Sequence, residues 1–280
     1  MAIIHSRVQA ETSEQDRIDS FFNFCKERQN IYNKKESGEP APWTDDKVLQ
    51  KYKICNIYRE QDFGTKYYLN SILSLYGDNA FIFFMTIAYR LCNRVYAFEQ
   101  FRENLIEHDF QGAERIAKDY RKEHGVFFSN AYVTFGGLRK GEDKIEAYFR
   151  TCRWINENAD AFVELLKYAE TAENAYKIIQ KIPFAGTFVG YQFFLDFLHT
   201  PILGRFKDDE SFYIIGEGAA QGMDIIFGNH TKESFDRLWR EQDNYNLEKP
   251  LSKHNCEFSL CEFRKWHNLS FNSGRGKLFK

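Results

Sequence analysis

Three observations predict an all-α, mainly helical chain. Apolar residues recur at helical spacing through most segments, alternating strand-like patterns are scarce, and only five prolines interrupt 280 residues. The first helix is expected over Ile18 to Tyr32, after a polar start without an apolar stripe. Asn33 to Pro42 (NKKESGEPAP) reads as a charged Pro/Gly linker. Thr44, Asp45 and Asp46 then supply an N-cap and an acidic first turn ahead of Val48, Leu49 and Tyr52. Helical periodicity returns over 60–75, 78–92, 95–107, 111–124, 142–158, 159–170, 172–181, 187–198 and 232–244. The least regular stretch, Gly125 to Gly141, carries a Gly-Gly pair among β-branched and aromatic residues and reads as a loop or short hairpin. The expected organisation is an N-terminal extension and linker over 1–42, packed on a helical domain over 43–280.

Composition narrows the function. The chain is 43% hydrophobic and 28% charged, with 28 Phe and 16 Tyr, rings that fill cores and also stack on bases. A net charge of −2 argues against attachment to polyanions by bulk electrostatics, so a nucleic-acid contact requires a local patch. From Leu251 onward Lys253, Arg264, Lys265, Arg275, Lys277 and Lys280 outnumber Glu257 and Glu262, which fits either such a patch or a solvated tail. Six cysteines (Cys25, Cys55, Cys92, Cys152, Cys256, Cys261) lack CxxC spacing, so neither a metal site nor a disulfide framework is expected. No apolar run suits a signal peptide, and the longest, near Ala80 to Ala88, is too short to span a bilayer. The expectation is a soluble cytoplasmic protein without a membrane partner, and no protein partner is implied.

One local pattern carries chemistry. From Lys177 to Tyr191 (KIIQKIPFAGTFVGY) an amphipathic helix ends in a tight Pro/Gly turn and a second helix starts at once. A hairpin of this kind points backbone N–H groups at a phosphate, although any short αα-hairpin reads similarly. Phe184, Gly186 and Thr187 are its DNA-contacting candidates. The segment resembles the helix-hairpin-helix DNA glycosylases, in which one helix, a loop and a catalytic aspartate follow the hairpin. Here the helix runs to about Leu198, the loop carries His199 to Gly204, and Asp208, Asp209 and Glu210 come next. Phe184 stands where the hairpin's first glycine is usual, and Phe188 where bifunctional members carry a Schiff-base lysine.

A wider resemblance covers Trp43 to the C-terminus. Lys53-Ile-Cys-Asn-Ile-Tyr-Arg-Glu60 with Asp62, Gly64 and Thr65 is similar to the N-V-Y-R-E-x-D-x-x-T motif of the phage and bacterial DNA-base hypermodification group. That group takes in the alpha-glutamyl/putrescinyl thymine pyrophosphorylases, amino-acid:DNA transferases and the helical domain of 5-hydroxymethyluracil DNA kinases. Gly190-Tyr191-Gln192 through Asp196, Ile215-Gly-Glu-Gly-Ala219 with Gly222, and Leu260-Cys-Glu-Phe-Arg-Lys265 follow in the same order. Glu217 departs from the proline common in the third block.

The resemblance implies double-stranded DNA as partner, with phage DNA bearing modified bases as the expected form, and no cofactor. Asp196, Asp208 and Asp209 are the catalytic candidates. A carboxylate set among Phe194, Leu195, Phe197 and Leu198 is costly to bury unless it is paired or functional, so Asp196 is a site acid, with a structural ion pair or a helix cap as the alternative. Asn56, Tyr58, Arg59, Asp62, Tyr191, Gln192 and Glu262 are base- or substrate-binding candidates, against the alternative of a polar network that fixes packing. Gly216, Gly218, Arg264 and Lys265 are candidates for DNA contact, and Glu262 with Lys265 can equally be a surface pair. No GxxxxGK[ST] occurs, so the kinase activity of fused relatives is not expected. The leading expectation is a monofunctional glycosylase that flips and excises a hydroxymethylated or glycosylated pyrimidine of phage DNA, in antiviral defence. The alternatives are an amino-acid or polyamine transferase acting on pyrophosphorylated 5-hydroxymethyluracil in DNA, and a non-catalytic DNA-binding module.

Overall fold

The computed structural model describes residues 13–75, 77–129, 138, 141–271, 274, 276 and 278. Among them the chain is all-α, with helices and no strand; Tyr52 and Leu278 form an isolated bridge. In order the α-helices are α1 Glu14–Glu36, α2 Lys47–Lys51, α3 Phe63–Tyr67, α4 Asn79–Cys92, α5 Val95–Phe98, α6 Arg102–Ile106, α7 Phe110–His124, α8 Lys144–Lys167, α9 Ala172–Ile179, α10 Thr187–Phe197, α11 Glu217–Phe227, α12 Lys232–Glu241 and α13 Lys253–Ser270. A five-residue π-helix, Tyr68–Ile72, continues α3. No described helix is long and apolar enough to cross a membrane. Most of the segment expected to be a loop or hairpin, Gly125 to Gly141, lies outside the described residues, as do Arg275, Lys277 and Lys280.

Helix starts follow local chemistry. Ser13 and Asp16 form a reciprocal capping box, so α1 begins at Glu14, before the apolar stripe becomes visible at Ile18. The Asp46 carboxylate accepts from the Val48 and Leu49 amides and starts α2 as the sequence predicts. The segments expected over 142–158 and 159–170 are one helix, α8, capped at its start by Asp143. The polar run Asn156 to Asp160 resembles a break, yet it costs only tenths of a kcal/mol per residue, roughly, against the burial of Ile155, Ala159 and Phe162. Arg205 reaches the far end of α8 and donates to the Leu166 and Ala169 carbonyls at 2.7 and 2.9 Å.

Two compact units emerge, Met1–Asp62 with Tyr213–Lys280, and Phe63–Phe212. In the first, α1, α2, α11, α12 and α13 surround a core that includes Phe21, Phe22, Cys25, Leu49, Tyr58, Met223, Phe235, Leu260 and Phe263. Phe21 meets Phe263 edge-on at 5.5 Å, and Phe22 stacks on Tyr245 at 4.2 Å. The Lys253–Ser270 part of the stretch beyond Leu251 is a core helix rather than a solvated tail, because Cys256, Leu260 and Phe263 bury one of its faces. The second unit has an aromatic core in which Phe101 contacts Phe98, Phe127 and Phe149 at 5.3–5.6 Å.

The glycines of the Ile215–Ala219 block act within the first unit. A Cβ on Gly218 would lie 2.4 Å from Cys261 Sγ, and one on Gly222 would lie 2.5 Å from the Leu260 carbonyl oxygen. One helical turn apart, they bring α11 against the backbone of α13. Gly222→Ala forces backbone to separate from backbone and is expected to destabilise the fold by about 1–3 kcal/mol. Chemical denaturation checks it: a lower midpoint with unchanged slope is the expected result.

Candidate functional site

The Ile54 to Asp62 stretch carries a polar network in the first unit, and its regular hydrogen-bonding partners are side chains rather than a helix ladder. Among the described residues it has only one short 3-10 turn, Arg59–Gln61. The Cys55 amide donates to Glu262 Oε2 at 2.9 Å and the Arg59 amide to Asn255 Oδ1 at 3.0 Å, both from α13. The Ser259 hydroxyl, also on α13, donates to the Ile57 carbonyl at 3.2 Å. From α1, Arg28 Nε donates to the Ile54 carbonyl at 3.1 Å. Within the stretch, the Asn56 amide donates to Asp62 Oδ1 and Asn56 Nδ2 to the Gln61 carbonyl, each at 3.0 Å. A non-helical segment buried between two helices must find such partners, since unpaired backbone groups are costly there.

Asn56, Asp62, Glu262 and Lys265, separated by two hundred residues of sequence, thus share one cluster. Glu262 is 2% exposed and pairs with Lys265 Nζ. Arg59 is buried, and its charge is felt by both Asp62 and Glu257. Tyr58 lies fully buried with its hydroxyl donating to the Lys249 carbonyl, which places it in the core packing around the cluster. Arg28, Gln61, Asn255 and Glu257 complete the group. Gly216 sits against it, its amide donating to Glu257 Oε1 at 3.1 Å. Arg264 Nη1 donates to Gln221 Oε1 at 2.7 Å, so this basic residue is tied to α11. Lys253, counted in the same basic stretch, pairs with Asp236.

Two carboxyls of the cluster titrate high. Burial, reinforced by Glu262, pushes Asp62 from 3.8 up to about 6 against the opposing pull of the Asn56 amide, Arg28 and Arg59. Burial pushes Glu257 from 4.5 up to about 7, against the Gly216 amide and Arg59. An acid whose pKa rises on folding binds its proton more tightly in the folded state. Its stabilisation is complete below the unfolded value and is lost as pH rises through about 6 for Asp62 and about 7 for Glu257. Carboxyls poised there can give up or accept a proton at neutral pH. Arg28 is held below its ordinary value by burial, with Asp62, Cys55 and Glu262 opposing that loss. Among the described residues no three His, Cys, Asp or Glu side chains group as a metal site.

The second unit carries the hairpin. Helices α9 and α10 are joined through Gln180 to Gly186, with Gly186 and Thr187 exposed, Pro183 and Phe184 half-buried, and Ile182 and Ala185 buried. Phe184 has φ +64°, the left-handed conformation in which a non-glycine residue costs about 1–2 kcal/mol, which explains why glycine is usual there. Gly186 caps α10 without a side-chain hydrogen bond, and the first turn has no acidic residue. An exposed helix start of this kind suits an anion. Phe188 is 51% exposed beside it.

Behind the hairpin the acids differ sharply. Asp196 is wholly buried in a bidentate pair with Arg90, whose Nε and Nη2 donate at 2.5 and 2.7 Å. Arg90 Nη1 also donates to Asn93 Oδ1, and Tyr68 OH to the Asp196 carbonyl. This ties α10 to α4 and the π-helix. Tyr191 is buried among Tyr176, Phe194 and Phe212, and Gln192 is buried next to it in α10. Asp208 is exposed, whereas Asp209 accepts from the Ser211 amide at 2.9 Å. The second unit's Arg90 was not legible as a partner because nothing in the sequence links α4 to α10.

Asp196→Asn leaves the Arg90 guanidinium buried without its counter-charge and is expected to cost about 3–5 kcal/mol of stability. Thermal unfolding checks this: a large fall in midpoint is the expected result, while an unchanged midpoint contradicts a structural pair.

The chain matches the model of the family described as "5-hmdU DNA kinase, helical domain" over residues 15–276. It is similar to a 5-hmdU DNA kinase of Bacillus phage SP10, with 25% identity over 290 residues that cover 89% of this chain and 45% of the relative. The chain therefore spans less than half the length of that curated relative. No solved structure matches it. The match includes the whole polar cluster from Arg28 to Lys265 and the hairpin, and the chain belongs to the 5-hmdU DNA kinase helical-domain family.

Proposed function

We propose that the chain acts in the modification of 5-hydroxymethyluracil bases in DNA, as a transferase that replaces a pyrophosphorylated hydroxymethyl oxygen with the nitrogen of an amine. Family membership over residues 15–276, alongside a relative named for 5-hmdU DNA, is the observation that carries this reading. Two near-neutral carboxyls in the cluster favour it further, since an amine nucleophile must lose a proton. In the step proposed, the amine nitrogen bonds to the exocyclic methylene carbon as the carbon–oxygen bond breaks. Pyrophosphate leaves with the bonding electron pair, and the Asp62 carboxylate takes the proton released from nitrogen. The exposed amide end of α10 is proposed to hold a DNA phosphate.

Base excision, the leading expectation from sequence, has less support. It needs an available carboxylate beyond the hairpin, and Asp196 is committed to Arg90 and Asp209 to a turn, which leaves Asp208. Nothing in the comparisons speaks for hydrolysis of the glycosidic bond or for antiviral defence.

Duplex DNA carrying 5-hydroxymethyldeoxyuridine, its monophosphate or its pyrophosphate ester tests the proposal, when incubated with the full chain and a mixture of amino acids and polyamines. Mass spectrometry is expected to show a heavier nucleoside and released pyrophosphate only from the pyrophosphate ester. Asp62→Asn is expected to slow that reaction by about 10²–10⁴-fold. Free base and abasic sites would instead establish excision, and unchanged nucleosides with retained binding would establish a binding module.

A further inference from the structure

An open groove of about 590 Å³ lies on the first unit, between one side of α1 and the neighbouring α2 and α13. Its apolar wall is Phe24, Leu49 and Trp266, with the Phe24 and Trp266 rings 5.5 Å apart and the indole Nε1 donating to Asp46 Oδ2 at 2.8 Å. Phe24 and Leu49 are buried and Trp266 is half-buried, so the indole is the main apolar surface that the groove presents. Around it stand the carboxylates of Asp16, Asp19, Glu27 and Asp46 against one ammonium, Lys26. The Ser13 hydroxyl and amide hold Asp16 below its ordinary value, and the Tyr245 hydroxyl and Gln15 do the same for Asp19, so both stay charged at neutral pH. None of these residues belongs to the polar cluster of Arg28, Asn56 and Asp62.

One stripe of α1 meets the groove without partners of its own. Ser20, Asn23 and Glu27, three and four residues apart, line it and make no side-chain hydrogen bond or ion pair among the described residues. Ser20 and Asn23 carry both donors and acceptors, and the half-buried Glu27 carboxylate has no counter-charge. Such a face beside an indole calls for cations opposite the carboxylates, backbone-like carbonyl and N–H groups opposite Ser20 and Asn23, and an apolar stem or a guanidinium on Trp266. A peptide brings all three. From Asp16 to Glu27 the helix rises about 16 Å, the length of about five extended residues. We propose that this groove docks a short basic segment of a second protein, in which lysine or arginine is interleaved with apolar residues. A nucleic-acid backbone is repelled by the four carboxylates. A linear polyamine brings donors alone and leaves the Asn23 amide and Ser20 hydroxyl protons without acceptors. The inference is independent of the reaction assigned to the polar cluster.

Selection of random hexapeptides against the immobilised full chain tests this, followed by fluorescence-anisotropy titration of the enriched peptides. Those peptides are expected to combine lysine or arginine with an aromatic or aliphatic residue, to bind more weakly as salt rises, and to shift the Trp266 indole N–H signal in NMR. Asn23→Lys combined with Glu27→Lys is expected to weaken them at least about tenfold. Ser20→Tyr, which fills the groove without altering charge, is expected to weaken them by a similar factor. If Ser20→Tyr lowers the helical circular dichroism, the double lysine variant, which changes one exposed and one half-buried surface position, carries the test. Enrichment without basic residues, or binding unmoved by the double lysine variant, overturns the inference. Spermine bound as tightly as the best peptide overturns it in favour of a polyamine site. Concentration-dependent dimerisation that the double lysine variant abolishes, read by sedimentation, overturns it in favour of a second copy of the chain.

Discussion

The first unit depends on the close approach of α11 to α13. Gly218 and Gly222 leave no side chain between the helices, and the Leu260 backbone and Cys261 occupy the space that a Cβ would need. With α13 held there, its apolar face goes to Phe21, Phe24 and the rest of the core. Its polar face is then spent on the Ile54 to Asp62 stretch, through Asn255, Ser259 and Glu262. Three side chains from one helix, at successive turns, satisfy the backbone of a segment that has no ladder of its own. That arrangement converts a packing constraint into a fixed constellation of Asn56, Asp62, Glu257 and Glu262.

The same burial that fixes the constellation raises two of its carboxyls toward neutrality. Desolvation is the first cause of the upward shift at both Asp62 and Glu257; the Asn56 amide, then Arg28 and Arg59, hold it in check at Asp62, and the Gly216 amide, then Arg59, at Glu257. A fully exposed carboxyl pair would be ionised and inert as a proton acceptor for a weakly basic group, while a fully buried unpaired acid would be locked neutral. In the second unit the balance falls the other way. Asp196 and Arg90 satisfy each other completely, and the result is a strut between α10 and α4. Asp62 and Glu257 on one side and Asp196 on the other show how partner geometry, rather than burial alone, separates a carboxyl raised toward neutrality from one held in an ion pair.

Much of this was legible in the sequence. The fold class followed from periodicity, and the ordered blocks around Asn56, Gly216 and Glu262 marked residues that the first unit does bring together. The sequence did not reveal why. Gly216 and Gly218 read as candidates for DNA contact, because a helix crossing needs knowledge of the facing helix. Arg28 escaped notice because α1 reads as an N-terminal extension, and its single buried charge has no local signature. Glu257 was counted only as an acid offsetting a basic stretch, since its partner Gly216 lies forty-one residues earlier. Phe184 shows the reverse case: an apparent departure from the hairpin pattern keeps the left-handed backbone that glycine normally supplies.

If the cluster handles protons rather than serving as a satisfied piece of core, its two raised carboxyls titrate near neutrality. Carboxyl-carbon NMR of the full chain, titrated from pH 3 to pH 9, measures that property directly. Asp62 is predicted to titrate at about 6 and Glu257 at about 7. Midpoints near the ordinary carboxylate value of about 4 for both would mean that the buried environment does not hold these acids near neutrality, and would contradict the account.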